Sequence, residues 1–180
     1  MNISADIIKT AVLSYYRYQR QMICADECWC GISGETCDVL VDSGKYFYDI
    51  EIKINKYDLW TGEAKKRKHY MYNRAIISNH LYHYPNYFLI CVPSSLINEA
   101  QKWVQETNTN YGIIEFSEDI WGRMCKDKHF WRFEDLIRIK RSSKKLREYR
   151  STRLSKILVK RLCSAYTTLR QKNLRKGVCG

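Results

Sequence analysis

The stretch that decides the fold is residues 35–56, which read ETCDVLVDSGKYFYDIEIKINK. Apolar and mostly charged side chains alternate between residues 46 and 54, with the apolar set at Tyr48, Ile50, Ile52 and Ile54. A period of two is typical of a β-strand whose two faces differ in polarity. Glu51 and Lys53 are therefore predicted to share one face of this strand.

A second β-rich run, residues 36–41, precedes it, and the residues between the two runs are Asp-Ser-Gly-Lys, which suit a short hairpin turn. If Ser43 and Gly44 form the turn, Asp38 lies opposite Asp49. Glu51 is then a diagonal neighbour of Asp38 on the same face, at about 7–8 Å. Two carboxylates at that separation can reach one cation.

This arrangement suits a hard divalent cation. Mg²⁺ prefers oxygen ligands at about 2.0–2.1 Å and keeps several waters. Asp38 and Glu51 are the predicted side-chain ligands of Mg²⁺ or Mn²⁺, and the backbone oxygen of Ile52 is the predicted third ligand. Lys53 beside the metal can orient a water or offset charge that develops on a scissile phosphate. The pattern predicts metal-assisted phosphodiester hydrolysis.

These residues also resemble a known family. Asp38, followed by Glu51-Ile52-Lys53 on a hydrophobic strand, resembles the core of the PD-(D/E)XK nuclease superfamily, which has the restriction-endonuclease-like fold. The likeness continues through CDVL at 37–40, EIKINKYDL at 51–59 and KKRKHYMY at 65–72, and is closest to the MmcB-like DNA-repair group of bacteria and phages. It covers residues 35–116 well and the two ends poorly.

The resemblance implies roles for individual residues. Asp38 and Glu51 would be metal ligands and Lys53 the catalytic lysine, while Lys68, His69 and Tyr72 would line the site from the following helix. One departure is Cys37, which stands where many members of the superfamily carry proline. A role in DNA repair, recombination or phage DNA processing follows from the resemblance alone.

A basic run follows the core strand. A helix is expected from about Leu59 to Asn79, and its middle holds Lys65, Lys66, Arg67, Lys68 and His69. Such a run is often only a solvated face, but next to a carboxylate pair it indicates a phosphate-facing cluster. The predicted DNA-binding residues of this segment are Lys65, Lys68, His69 and Tyr72. Further along, residues 87–92 and 111–116 are predicted strands joined by a helical crossover.

Four of the eight cysteines lie close together, at Cys24, Cys28, Cys30 and Cys37. Zinc needs four converging ligands, usually from paired cysteines on tight turns, and this spacing fits that pattern only loosely. Reduced strand cysteines in a cytosolic protein are the favoured interpretation. A zinc-stabilised interaction protein remains an alternative.

The net charge of +12 comes from the C-terminal quarter, because fifteen of the 31 Lys and Arg residues but only one of the 19 acids, Glu148, lie between residues 136 and 176. Apolar residues at helical spacing predict a packed amphipathic helix, with Leu154, Ile157, Leu158, Leu162, Ala165, Tyr166 and Leu169 on its inner side. Its basic outer face, including Arg153, Lys156 and Lys160, is predicted to bind DNA.

The sequence thus predicts an α/β fold with a restriction-endonuclease-like mixed sheet flanked by helices. Residues 1–140 are the predicted nuclease-like core and residues 141–180 a basic helical extension packed on it. The expected function is metal-dependent cleavage of DNA, and the alternative is a nucleic-acid-binding protein on an inactive core. With no secretion signal and no apolar run long enough to span a membrane, the expected location is the cytoplasm of a bacterium or phage-infected host. A homodimer is possible.

Overall fold

The computed structural model describes residues 3–32, 34–75, 83–127 and 132–178. Six strands form one mixed sheet in the order β1-β2-β3-β4-β5-β6. Their bounds are β1 Ile23–Trp29, β2 Thr36–Asp42, β3 Phe47–Ile52, β4 Tyr87–Pro93, β5 Gly112–Phe116 and β6 Ile137–Arg141. β1, β2 and β3 pair antiparallel, β3, β4 and β5 pair parallel, and β6 returns antiparallel to β5. The predicted α/β class with a mixed sheet is confirmed.

Helices cover both faces of the sheet. Within the described ranges the α-helices are α1 Ala5–Ser14, α2 Arg67–Ala75, α3 Ile97–Thr107, α4 Glu118–Lys126 and α5 Thr152–Val178. One core lies between the sheet and α2, α3 and the start of α5, and includes Tyr72, Trp103 and Leu158. A second core lies on the opposite face under α1 and α4, and includes Ile8 and Ile120. Strands buried on both faces explain the long apolar runs in the sequence.

The β2–β3 turn differs from the expected one. Asp42 pairs with Phe47, so four residues form the turn, and the Gly44 N–H donates to Asp42 Oδ1 at 2.8 Å. Leu40 consequently lies opposite Asp49, and the prediction that Asp38 lies opposite Asp49 is wrong. The register is shifted by two residues because the Asp42 side chain closes the longer turn. Extended by one residue beyond its last pair, Val39 with Ile50, this register would place Asp38 level with Glu51.

The segment after β3 is also interrupted where one helix was expected. A π-helical turn spans Asp58–Glu63, and α2 begins only at Arg67. The Lys66 N–H donates to Glu63 O between the two pieces. Lys66 lies in this break, and its ammonium contacts Glu51 of β3. Residues 76–79 of the expected helix lie outside the described residues.

The basic C-terminal helix is only partly packed. Leu154 and Leu158 are buried, and the Arg161 guanidinium pairs with Asp26 of β1 at 3.0 Å. From Leu162 to Leu169 the side chains are exposed, so the prediction of a packed apolar face is wrong for this part of α5. Between residues 3 and 178, excluding the three undescribed internal gaps, no helix is both long and apolar enough to cross a bilayer.

Candidate active site

The carboxyl end of β3 carries buried charges on one face of the sheet. Asp49 and Glu51 are fully buried, and Lys53 just past the strand is 7% exposed. The Lys53 Nζ lies 3.8 Å from Glu51 Oε2. The prediction that Glu51 and Lys53 share a face is therefore confirmed.

Asp38 reaches this region from β2. Its Oδ2 accepts a hydrogen bond of 2.7 Å from the Ile52 N–H, which lies between the Glu51 and Lys53 side chains in sequence. Asp38 is half-buried, and its charge is one of the influences that raise the pKa of Glu51. Asp38 and Glu51 are therefore neighbours, through the Asp38 hydrogen bond to the residue after Glu51 and not through the predicted diagonal pairing.

Lys68 lies at the centre of the charge cluster. Its ammonium is fully buried, 3.1 Å from Asp49 Oδ2 and in contact with Glu51 Oε1. The Tyr72 hydroxyl donates to the same Asp49 oxygen at 2.7 Å. Lys68 and Tyr72, two of the predicted DNA-binding residues, are both enclosed in the protein and engaged by carboxylates, so neither is presented to a phosphate.

Glu63, which the sequence interpretation missed, joins the cluster from the π-helical turn. Its carboxylate lies 3.2 Å from Lys53 Nζ and 2.8 Å from His69 Nε2. An ionised carboxylate only accepts, so Nε2 is the donating nitrogen of His69. The other nitrogen, Nδ1, then accepts from the Tyr111 hydroxyl at 2.9 Å. His69 is buried and positions Glu63, which replaces its predicted phosphate contact.

Lys66 and Lys65, adjacent in the basic run, have different environments. The Lys66 ammonium lies 2.5 Å from Glu51 Oε2 and 2.9 Å from Glu63 Oε2, and its side chain is 27% exposed. Lys65 is exposed. Lys66 was visible in the sequence as part of the basic run, but only the break between Glu63 and Arg67 directs it to Glu51.

The cluster contains more acids than bases. Its carboxylates are Asp38, Asp49, Glu51, Asp58 and Glu63, and its ammonium groups are Lys53, Lys66 and Lys68. With all five carboxylates ionised the formal excess is two negative charges, which is the charge that one divalent cation neutralises. The cluster opens to solvent at Asp38, Lys66 and Asp58.

Burial and the neighbouring charges shift the pKa values of several groups in this cluster. Burial raises the pKa of Glu51 to about 8. The positive charge of Lys68 lowers this pKa only in part, and the negative charges of Glu63, Asp49 and Asp38 raise it further. Burial opposes ionisation of Lys68 too, but Asp49 and Glu51 hold the pKa of Lys68 well above its ordinary value. Burial by itself would raise the pKa of Glu63. The His69 hydrogen bond and the positive charges of the lysines outweigh burial and hold the pKa of Glu63 well below its ordinary value. The surroundings of Glu51 thus disfavour its ionised form, and an additional positive charge nearby would stabilise that form.

The four cysteines do not converge on one zinc site, which was the alternative to the favoured interpretation of reduced strand cysteines. The Cys24 Sγ lies 3.5 Å from Leu13 O, on the α1 side of the sheet, and Cys28 Sγ lies 3.5 Å from Asp26 O. Cys30 and Cys37 converge in the other core, next to Asp49. The reason is that Cys24 packs against the core under α1, whereas Cys28, Cys30 and Cys37 lie in the core on the opposite face of the sheet.

The three basic residues predicted to bind DNA from α5 are exposed. The Arg153 guanidinium lies over the Trp29 ring, 4.6 Å from its centroid. Lys156 and Lys160 lie on the same helix, and the segment from residue 149 to 180 contains no acid. This end of the protein therefore presents a positively charged helix to solvent.

No family model and no curated protein matches this sequence. A solved structure with a similar fold is that of the SPO1766 protein of unknown function from Silicibacter pomeroyi. The two share 12% sequence identity and superpose with a TM-score of 0.57, over 97% of this chain and 94% of that chain. The similarity extends over nearly the whole of both chains and, at this identity, it shows the fold alone.

Proposed function

We propose that this protein is a divalent-metal-dependent nuclease that hydrolyses DNA phosphodiester bonds. The observation that carries the proposal is the grouping of Asp38, Glu51 and Lys53 at the ends of β2 and β3, where Asp38 binds the backbone that joins the other two. The PD-(D/E)XK resemblance, which predicted this trio from spacing, supports the same chemistry.

The residues present fit a hard divalent cation. Asp38 and Glu51 would hold it, with the Ile52 carbonyl as a third ligand, because carboxylate and carbonyl oxygens are what Mg²⁺ and Mn²⁺ prefer. The excess of two negative charges favours such an ion. A cation must displace the Lys66 ammonium, which contacts Glu51 Oε2. Lys66 can leave this oxygen because its side chain is partly exposed, whereas Lys68, which contacts the other Glu51 oxygen, is enclosed and cannot.

A cation at this position supplies Lewis-acid polarisation of the phosphate and a more acidic bound water. The chain contributes the remaining elements. Lys53 is held by Glu51, Asp58 and Glu63, so its ammonium is fixed where it can orient a water or offset charge on the phosphate. The carboxylates are positioned from the buried side of the cluster by Lys68, His69 and Tyr72. Their network limits the motion of Asp49, Glu51 and Glu63 while a substrate enters.

The test is incubation of the purified protein with labelled single-stranded, duplex and branched DNA in Mg²⁺, in Mn²⁺ and in EDTA. We expect metal-dependent cleavage that Lys53→Ala and Glu51→Gln abolish. The matched control is Lys102→Ala, an exposed lysine of α3 outside the proposed site, which should cut at the wild-type rate. Circular dichroism verifies that each variant is folded.

A second readout concerns the metal alone. Titration of Mn²⁺ followed by electron paramagnetic resonance should give tighter binding in Lys66→Met than in wild type, because the competing ammonium is gone. Glu51→Gln should weaken the binding. Unchanged Mn²⁺ affinity in both variants, together with an absence of cutting in every metal, would contradict the nuclease proposal.

The exposed basic face of α5 favours a second candidate function, nucleic-acid binding without cleavage. Charge reversal at Arg153, Lys156 and Lys160 would then remove all DNA binding, and Lys53→Ala would change nothing. In the nuclease case the same reversals weaken substrate binding and make it less dependent on salt. Cleavage at high protein concentration would persist.

A further inference from the structure

A second group of metal-ligating side chains lies in the core between the sheet and α2. The sulfur atoms of Cys30 and Cys37 and a carboxylate oxygen of Asp49 all lie within 4.8 Å of one another. The three side chains are fully buried. They come from the end of β1 and from β2 and β3, so the group connects three adjacent strands.

An interruption of strand alternation brings the two thiols to this face. Ala25 and Cys28 contact the same core despite an odd spacing, as do Cys37 and Leu40 on the partner strand. The break lies at Glu27, whose φ of 49° places it in the left-handed region. Because a non-glycine residue at such a φ is uncommon and costs free energy, the cysteines are held on the core side at some expense.

Asp49 supplies an independent indication of a ligand. Its Oδ2 accepts from Tyr72 and Lys68, whereas its Oδ1 is buried with no hydrogen-bond partner among the residues that the structure describes. Buried polar atoms are nearly always paired, and an unpaired one costs about 1–3 kcal/mol. A cation beside the two sulfur atoms would satisfy it.

We propose that Cys30, Cys37 and Asp49 form a structural site for a thiophilic divalent ion of the zinc class. Zn²⁺ binds thiolates at about 2.3 Å and carboxylates at about 2.0–2.2 Å, which sets its ligand atoms roughly 3.5–4 Å apart. The observed separations, none of which exceeds 4.8 Å, are longer than that geometry requires by at most about 1 Å. The soft thiolates select such an ion over Mg²⁺.

The charges balance when the ion binds. Each thiol releases its proton to solvent as its sulfur–metal bond forms, so two thiolates and the Asp49 carboxylate contribute three negative charges. The ion contributes two positive charges, and the Lys68 ammonium on Asp49 Oδ2 contributes the third. The site uses neither Asp38 nor Glu51, so it is separate from the proposed catalytic cation, and its test does not depend on nuclease activity.

The experiment uses the full chain in two forms. The first is produced in zinc-supplemented medium, passed through gel filtration and analysed for bound metal. The second is refolded with Co²⁺ under reducing conditions, and its near-ultraviolet thiolate-to-cobalt charge-transfer band is recorded. The variants are Cys30→Ser and Cys37→Ser. The matched control is the Cys125→Ser, Cys163→Ser double variant, since both of these cysteines are exposed.

We expect wild type and the exposed-cysteine control to hold about one zinc per chain and to give the cobalt band. Each core-cysteine variant should lose both signals. Glu51→Gln should keep them, which separates this ion from the catalytic one. Wild-type protein that holds no zinc and gives no charge-transfer band on refolding with Co²⁺ overturns the proposal, and so does loss of the band in the exposed-cysteine control. Because the wild-type spectrum is decisive, a folding failure of the serine variants leaves the test intact.

Discussion

Replacement of Lys68 by methionine tests whether the buried charge cluster is a stabilising network. Methionine keeps the length and most of the volume of the side chain but removes the ammonium from between Asp49 and Glu51. Both carboxylates remain fully buried. Removing one partner of a buried ion pair costs about 3–5 kcal/mol, because the remaining charge is left uncompensated.

That cost is large relative to the free energy of unfolding of the whole protein. A domain of this type has a free energy of unfolding of roughly 5–15 kcal/mol, so a loss of about 3 kcal/mol in Lys68→Met would remove roughly a fifth to three fifths of it. The partial compensation left to Asp49 by Tyr72 and to Glu51 by Lys66 places the expected loss near the lower end of the range. At a urea dependence of about 2 kcal/mol per M, the unfolding midpoint should fall by about 1.5–2 M.

The assay is urea unfolding in EDTA, followed by tryptophan fluorescence and far-ultraviolet circular dichroism. Lys65→Met is the matched control, since Lys65 is exposed three positions earlier in the same basic run, and its effect should stay within about 0.5 kcal/mol. A loss below about 1 kcal/mol in Lys68→Met would refute the reasoning. It would mean that Asp49 and Glu51 gain little from the ammonium in the folded state.

Two further changes test the surroundings of this cluster. Tyr72→Phe removes the hydroxyl donor to Asp49 and should destabilise the protein by about 1.5–3 kcal/mol, measured by the same urea titration; an unchanged midpoint would contradict the importance of that hydrogen bond. Gly31→Ala should lower the melting temperature far more than Gly34→Ala, because both glycines have a positive φ but a Cβ on Gly31 would lie 1.8 Å from the His83 carbonyl oxygen, while Gly34 faces open space. Equal shifts in a thermal melt would show that the contact with His83 is relieved without cost.

The sequence by itself determined the strands of the site and the chemistry of its first residues. Alternation of apolar and charged residues located β3 and placed Glu51 and Lys53 on one face, while the strand–helix–strand pattern downstream, together with the family resemblance, predicted the α/β class. These features depend on local periodicity, which is a property of a short segment of chain. The spacing of Asp38 to the Glu51-Ile52-Lys53 tripeptide was enough to propose a metal site.

The tertiary structure alone decided which other side chains complete the cluster. The Asp42 side chain lengthened the β2–β3 turn and shifted the register, and the break after Glu63 directed Lys66 to Glu51. Charge patterning suggested an exposed phosphate-binding helix, but unpaired Asp49 and Glu51 would be costly in the core, so Lys68 is buried to neutralise them. Burial of this kind depends on contacts between residues distant in sequence. Periodicity within one segment does not contain that information.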